Sequence, residues 1–171
     1  KHFGFKRSAL FYGLIGITCI ALLLPFYSPE FIDNYSKTIG LWFSNFEFNA
    51  SIYNVVKKIG VTYYDAKPWQ LVKSYGSLIP KLVIAIALFL TFFRKNQNLK
   101  TLLGSMLILL SSYYFLSSTV HPWYVIFLLT LGLFTKYRFP IIWSGAIILS
   151  YYTYSNSDYS ENLWLIAIEY S

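Results

Sequence analysis

A lone histidine, His121, occupies a proline-broken turn, Ser117-Ser118-Thr119-Val120-His121-Pro122-Trp123-Tyr124, set between two apolar runs. Residues 101–135 leave too little chain for two full membrane crossings, which want about 20 residues each. The turn therefore sits at, or slightly within, a membrane boundary. An ionisable side chain at that depth is a candidate for function. The plainer alternative is an interfacial histidine beside a belt of aromatic rings. A second constellation is Asn45-Phe46-Glu47-Phe48-Asn49-Ala50-Ser51, which puts a carboxylate and two amides between aromatic rings. Carboxylates and amides hold sugar hydroxyls, and flat rings stack on sugar faces. Its plainer alternative is the cap of an interfacial helix.

The elements that must position these residues are apolar helices. The chain has 171 residues, is 56% hydrophobic and 21% aromatic, and only 12% is charged, against about 25% in an average soluble domain. Mean hydropathy is +0.50, held down by sixteen tyrosines. The pattern predicts an all-α polytopic transmembrane bundle of about five spans: residues 8–26, 78–93, 102–118, 122–135 and 139–154. Pro25 ends the first, Pro80 lies near the start of the second, and a further span begins at Leu163. The whole of 1–171 reads as one membrane domain. The first residue is Lys1, and the chain reads as a fragment lacking N-terminal spans.

Lys1, Lys6 and Arg7, then Arg94, Lys95 and Lys100, then Lys136 and Arg138 alternate between spans so as to share one side. The positive-inside rule makes that side cytoplasmic, with the N-terminus of this chain there. The expected place is the plasma (inner) membrane, crossed several times. Residues 27–77 then form an outer-face loop, and the His121 turn opens on the same face. Within the loop, residues 49–59 read as an amphipathic helix, with Phe48, Ile52, Val55, Val56 and Ile59 as its apolar stripe. Asn45 or Asn49 would cap it, Lys57 and Lys58 suit its negative end, and Gly60 stops it. Asp65-Ala66-Lys67-Pro68 resembles another helix start.

The formal charge of +7 is spread between apolar segments and forms no patch for nucleic acid. A Gly-rich phosphate loop, a paired-cysteine motif and a Gly-x-Ser-x-Gly elbow are all absent from the sequence. His2 and His121 fall on opposite sides and cannot share a metal. The expected spans carry almost no charge in their interiors, which weakens an ion-transport reading.

Phe46-Glu47-Phe48-Asn49-Ala50-Ser51-Ile52-Tyr53, followed by Ser118-Thr119-Val120-His121-Pro122-Trp123-Tyr124-Val125, resembles the C-terminal half of bacterial GT-C type polytopic glycosyltransferases, in the mannosyltransferase-like branch. Residues 140–154 and the stretch from Glu161 to Tyr170 are similar to the end of such proteins. The resemblance implies an enzyme that takes a sugar, mannose in that branch, from a polyprenyl-phosphate donor and passes it to a glycan or lipid acceptor at the outer face. It implies a catalytic acid in an upstream outer loop, beyond this chain, and leaves divalent-metal use open. Under it, Glu47, Asn49 and Tyr53 line the sugar or acceptor site, His121 orients the donor phosphate, and Trp123 and Tyr124 flank the lipid or sugar. Lys57 and Lys58 attract anionic lipid heads. The alternatives are a transporter or flippase for a lipid-linked substrate, which needs broken helices at the midplane, and a non-enzymatic scaffold.

Overall fold

The computed structural model describes residues 4–171, and the side chains of all these except 42–45. His2 and Lys1 lie outside the described residues, and so do the side chains of Trp42, Phe43 and Asn45. Among the described residues the chain is all-helical, with one isolated β-bridge. Among the described residues, three helical stretches are long and apolar enough to cross a membrane: Phe5–Phe26, Pro68–Phe93 and Leu99–Leu116. The chain folds into two compact units, Lys1–Trp42 and Phe43–Ser171.

The first unit holds α1 (Phe5–Leu23), a 3-10 turn (Leu24–Phe26) that contains Pro25, and most of α2 (Pro29–Asn45). No residue of α1 is buried, as suits a helix whose every face is apolar. α2 was not foreseen as a helix. Its start is fixed by Ser28, whose Oγ accepts the Phe31 amide at 3.0 Å, and by Glu30 in the first turn. Asp33 and Lys37 pair one turn apart at 2.6 Å on its exposed face.

The second unit holds α3 (Ile52–Tyr64), α4 (Pro68–Phe93), α5 (Leu99–Leu116), α6 (Val125–Leu133), α7 (Phe139–Ala146) and α8 (Leu163–Glu169). Residues 122–124 and 147–155 are 3-10 helix. The span expected at 78–93 is the latter part of a helix that starts at Pro68, so Pro80 lies inside α4. Lys73 and Lys81 therefore lie on α4 and not in a loop. Residues 27–77 are mostly helical. Asn98 caps α5 by accepting the Thr101 amide at 2.8 Å, and Asn162 caps α8.

The core joins Leu107 and Tyr114 of α5, Val120 of the turn, Val125 and Leu128 of α6, and Trp143 and Ile147 beyond. A smaller cluster of Ala50, Tyr53 and Val72 seats α3 on α4. Gly60 does not stop α3. It lies against Leu71 of α4, and the helix runs on to a left-handed Asp65 with φ 48°. Asp65 thus ends α3, and Lys67 takes the position before Pro68. The expected apolar stripe is not the packed face: Ile52, Val55, Val56 and Ile59 are all exposed, while α3 packs through Tyr53 and Gly60.

α6 and α7 meet where a Cβ on Gly132 would lie 3.1 Å from Pro140 Cγ and 3.3 Å from its Cβ. A buried proline ring cannot swing aside, so Gly132→Ala is expected to destabilise the fold by about 1–3 kcal/mol. A Cβ on Gly60 would meet Leu71 Cδ1 at 2.9 Å, but that methyl can rotate away, so Gly60→Ala should cost less. Thermal unfolding of the two variants in detergent checks the order.

Candidate functional site

The two motifs singled out in the sequence lie against each other. The Phe48 amide donates to the Ser118 carbonyl at 3.0 Å, and the Val120 amide to the Phe48 carbonyl at 2.8 Å, forming the parallel bridge between Phe48 and Thr119. The hydroxyls of Ser118 and Thr119 donate to the Phe46 carbonyl at 3.1 and 2.9 Å. Ser51 Oγ donates to the Phe115 carbonyl at 2.8 Å. These bonds satisfy irregular backbone that would otherwise be costly to bury.

Above the bridge, the His121 ring is stacked between two others. Its centroid lies 4.5 Å from Trp123, with the planes 5° apart, and 5.2 Å from Phe48. Tyr124 meets it edge-on at 5.4 Å. His121 Nδ1 is buried with no hydrogen-bond partner, and burial lowers the imidazole pKa. A neutral ring in an aromatic stack is a poor cation.

Asn49 is the hub beneath the bridge. Its backbone is left-handed, φ 50°, a conformation asparagine tolerates better than most residues. Its amide N–H donates to Glu161 Oε1, its Nδ2 to Glu169 Oε1 at 2.9 Å, and its carbonyl accepts the Tyr170 hydroxyl at 2.8 Å. Trp143 Nε1 donates to the same Glu169 oxygen at 3.0 Å. Asn49 is 1% exposed and Tyr53 0%, so both are core residues. The Tyr53 hydroxyl makes no hydrogen bond. Burial first, and the nearby Glu47 carboxylate second, raise its pKa and keep it protonated.

Glu169 is 6% exposed, and its Oε2 has no partner. Desolvation raises its pKa, opposed by the Trp143 and Asn49 hydrogen bonds. A raised folded-state pKa means that the folded chain holds the proton more tightly than the unfolded one. Stability from this group is full below the ordinary carboxyl pKa and is lost as pH rises through the folded value. The melting temperature is therefore expected to rise on acidification from pH 7 toward the ordinary carboxyl range near 4.5. Glu169→Gln, which keeps an acceptor oxygen, should flatten that rise.

Glu47 faces a different space. It pairs with Lys57 at 2.5 Å and lines a chamber of about 650 Å³ with Asn54, Lys57, Lys58, Tyr159 and Glu161. A groove of about 450 Å³ shares Asn54, Lys58 and Leu163 with this chamber. Its walls are mostly apolar, from Ile52, Val55, Ile59, Phe115 and Ile166. The exposed stripe of α3 is one of those walls. His121, Trp123 and Tyr124 line neither space. Of the six residues expected at the site, Glu47 alone lines the chamber. The other five line neither the chamber nor the groove.

The sequence assigned no site position to Glu161, Glu169 or Asn54. Glu161 and Glu169 stand more than a hundred residues from their partner Asn49, and only their being carboxylates in an apolar tail marked them. Among the described residues no three His, Cys, Asp or Glu side chains gather where a metal ion could be held. Set against protein-family models, curated proteins and solved structures, the chain matches none of them.

Proposed function

We propose that the chain is part of a membrane glycosyltransferase that moves a sugar, mannose by resemblance, from a polyprenyl-phosphate donor to a glycan or lipid acceptor at the outer face. The observation that carries this reading is the apolar groove that adjoins a charged chamber through Lys58. A ligand with a long apolar tail and an anionic head needs both spaces side by side. In this reading the tail lies along Ile52, Val55 and Ile166, the phosphate meets Lys58, and Glu47 and Glu161 face sugar or acceptor hydroxyls. Asn49 ties the segment after Glu47 to Glu169, and Tyr53 seats α3 on α4. His121 stacks on Phe48, the neighbour of Glu47, and Trp123 and Tyr124 hold the His121 ring.

The five-span arrangement with its outer-face segment belongs to the same proposal. Eight α residues followed by nine 3-10 residues reach about 30 Å, the thickness of the hydrocarbon core. That supports a crossing by residues 139–155. The shorter apolar helix Pro122–Leu133 suits a turn at His121 that dips within the boundary. Arg94 and Lys100 share a cleft with Lys136 and Arg138, which supports placing both loops on one side, the cytoplasmic one.

A transporter or flippase for a lipid-linked substrate has one observation in its favour: Pro80 stands in the interior of α4, where a proline weakens the helix. α4 nevertheless runs unbroken to Phe93. Photo-crosslinking tests the groove. A polyprenyl-phosphate analogue with a reactive group on its tail should label peptides of α3 and α8 in the full chain. Labelling confined to other helices would move the tail, and this reading with it, elsewhere.

A further inference from the structure

At the other end of α5, away from the Phe48 bridge, a cleft of about 800 Å³ opens where α4 ends, α5 begins and α6 turns into α7. Arg94, Lys100, Lys136 and Arg138 line it, and no acidic side chain does. Among the described residues the ion pairs are Lys37 with Asp33 and Lys57 with Glu47, so none of these four cations has a carboxylate partner. Gly104 forms part of the wall. A Cβ there would lie 3.4 Å from Arg94 Nη2 and 3.7 Å from Tyr137 Cε2, so the guanidinium is laid against α5 where a longer side chain would displace it. The turn that presents it is fixed: Asn96 Nδ2 donates to the Leu90 carbonyl at 2.9 Å, and Ser105 Oγ donates to Asn96 Oδ1 at 2.6 Å. Four like charges around one concavity repel each other, and an anion in it would relieve that repulsion. The rim also has an apolar side, with Leu133 72% and Phe134 60% exposed. A soluble phosphate compound has no use for such a rim, whereas a phospholipid has acyl chains to lay on it.

We propose that this cleft holds the phosphodiester headgroup of an anionic phospholipid, with the acyl chains against Leu133 and Phe134. The site is separate from the groove beside α3 and does not depend on the transferase reading.

The test uses the full chain in nanodiscs of mixed phosphatidylglycerol and phosphatidylcholine, released and weighed by native mass spectrometry. Phosphatidylglycerol should be retained preferentially. Lys136→Gln combined with Arg138→Gln should lower that preference about thirtyfold, given the attraction of each basic residue to an anionic surface. Lys95→Gln, beside Arg94 but outside the cleft, should leave it unchanged. Melting in pure phosphatidylcholine shows whether the double variant is folded. Should it not be, Lys100→Gln, exposed in the first turn of α5, makes the same test. Equal retention of the two lipids, an undiminished preference in the cleft variants, or an equal loss in Lys95→Gln would overturn the proposal. Displacement of the lipid by excess inorganic phosphate would overturn the lipid as the source and assign the cleft to a soluble anion.

Discussion

Asn49→Ala is expected to destabilise the full chain by about 3 kcal/mol, the sum of a lost hydrogen bond to a carboxylate and the cost of a left-handed alanine. Asn49 ties the Phe48 segment to the C-terminal helix through both side chain and backbone. Its Nδ2 reaches Glu169, and its backbone holds Glu161 and Tyr170. Three variants separate the contributions. Asn49→Gly keeps the left-handed backbone at little cost and should be less damaging than Asn49→Ala by about 1 kcal/mol. Asn49→Asp sets a second carboxylate against Glu169 and should unfold most readily at neutral pH, then recover as acid protonates the pair. Thermal unfolding of detergent-solubilised protein across pH reads all three. If Asn49→Ala melts like wild type, Asn49 is not the hub described.

Lys58→Gln is expected to raise KM for a polyprenyl-phosphate donor about ten- to hundredfold, with a smaller change in kcat. The exposed Lys58 stands where groove and chamber join, and in the proposed reading it meets the donor phosphate before and during transfer. Losing a charge-assisted hydrogen bond of that kind costs about 1.5–3 kcal/mol. Uniform binding lost in this way appears in KM. Lys136→Gln, at the far end of α5, should leave both constants unchanged. An equal loss in both variants would mean that general surface charge, and not this position, draws the donor.

The ends of several elements were legible in the sequence. Pro122 and Phe139-Pro140 begin the helical stretches expected there, and Pro68 begins α4, because proline suits a first turn. The true length of α4 was hidden by Lys73 and Lys81, which read as loop residues but sit on a helix long enough to extend past a membrane. α2 was hidden by its aromatic residues, which carry little helical preference of their own. Both site motifs were legible, and so was their convergence. Their roles were not. Asn49 and Tyr53 look like surface groups in a motif, yet burial turns them into supports. His121 looks like an anion binder until two flanking rings desolvate it. The contacts of Glu169 were not legible, since they come from Asn49, 120 residues away, and from Trp143 on α7.

The most direct measurement supplies radiolabelled polyprenyl-phosphate mannose to the full-length protein in membranes, beside Glu47→Gln and Lys58→Gln at equal expression. The account predicts label in lipid or glycan with wild type, and sharply less with either variant. Transfer that both variants sustain at the wild-type rate, or no transfer by wild type from this donor or a small panel of other lipid-phosphate sugars, would contradict it.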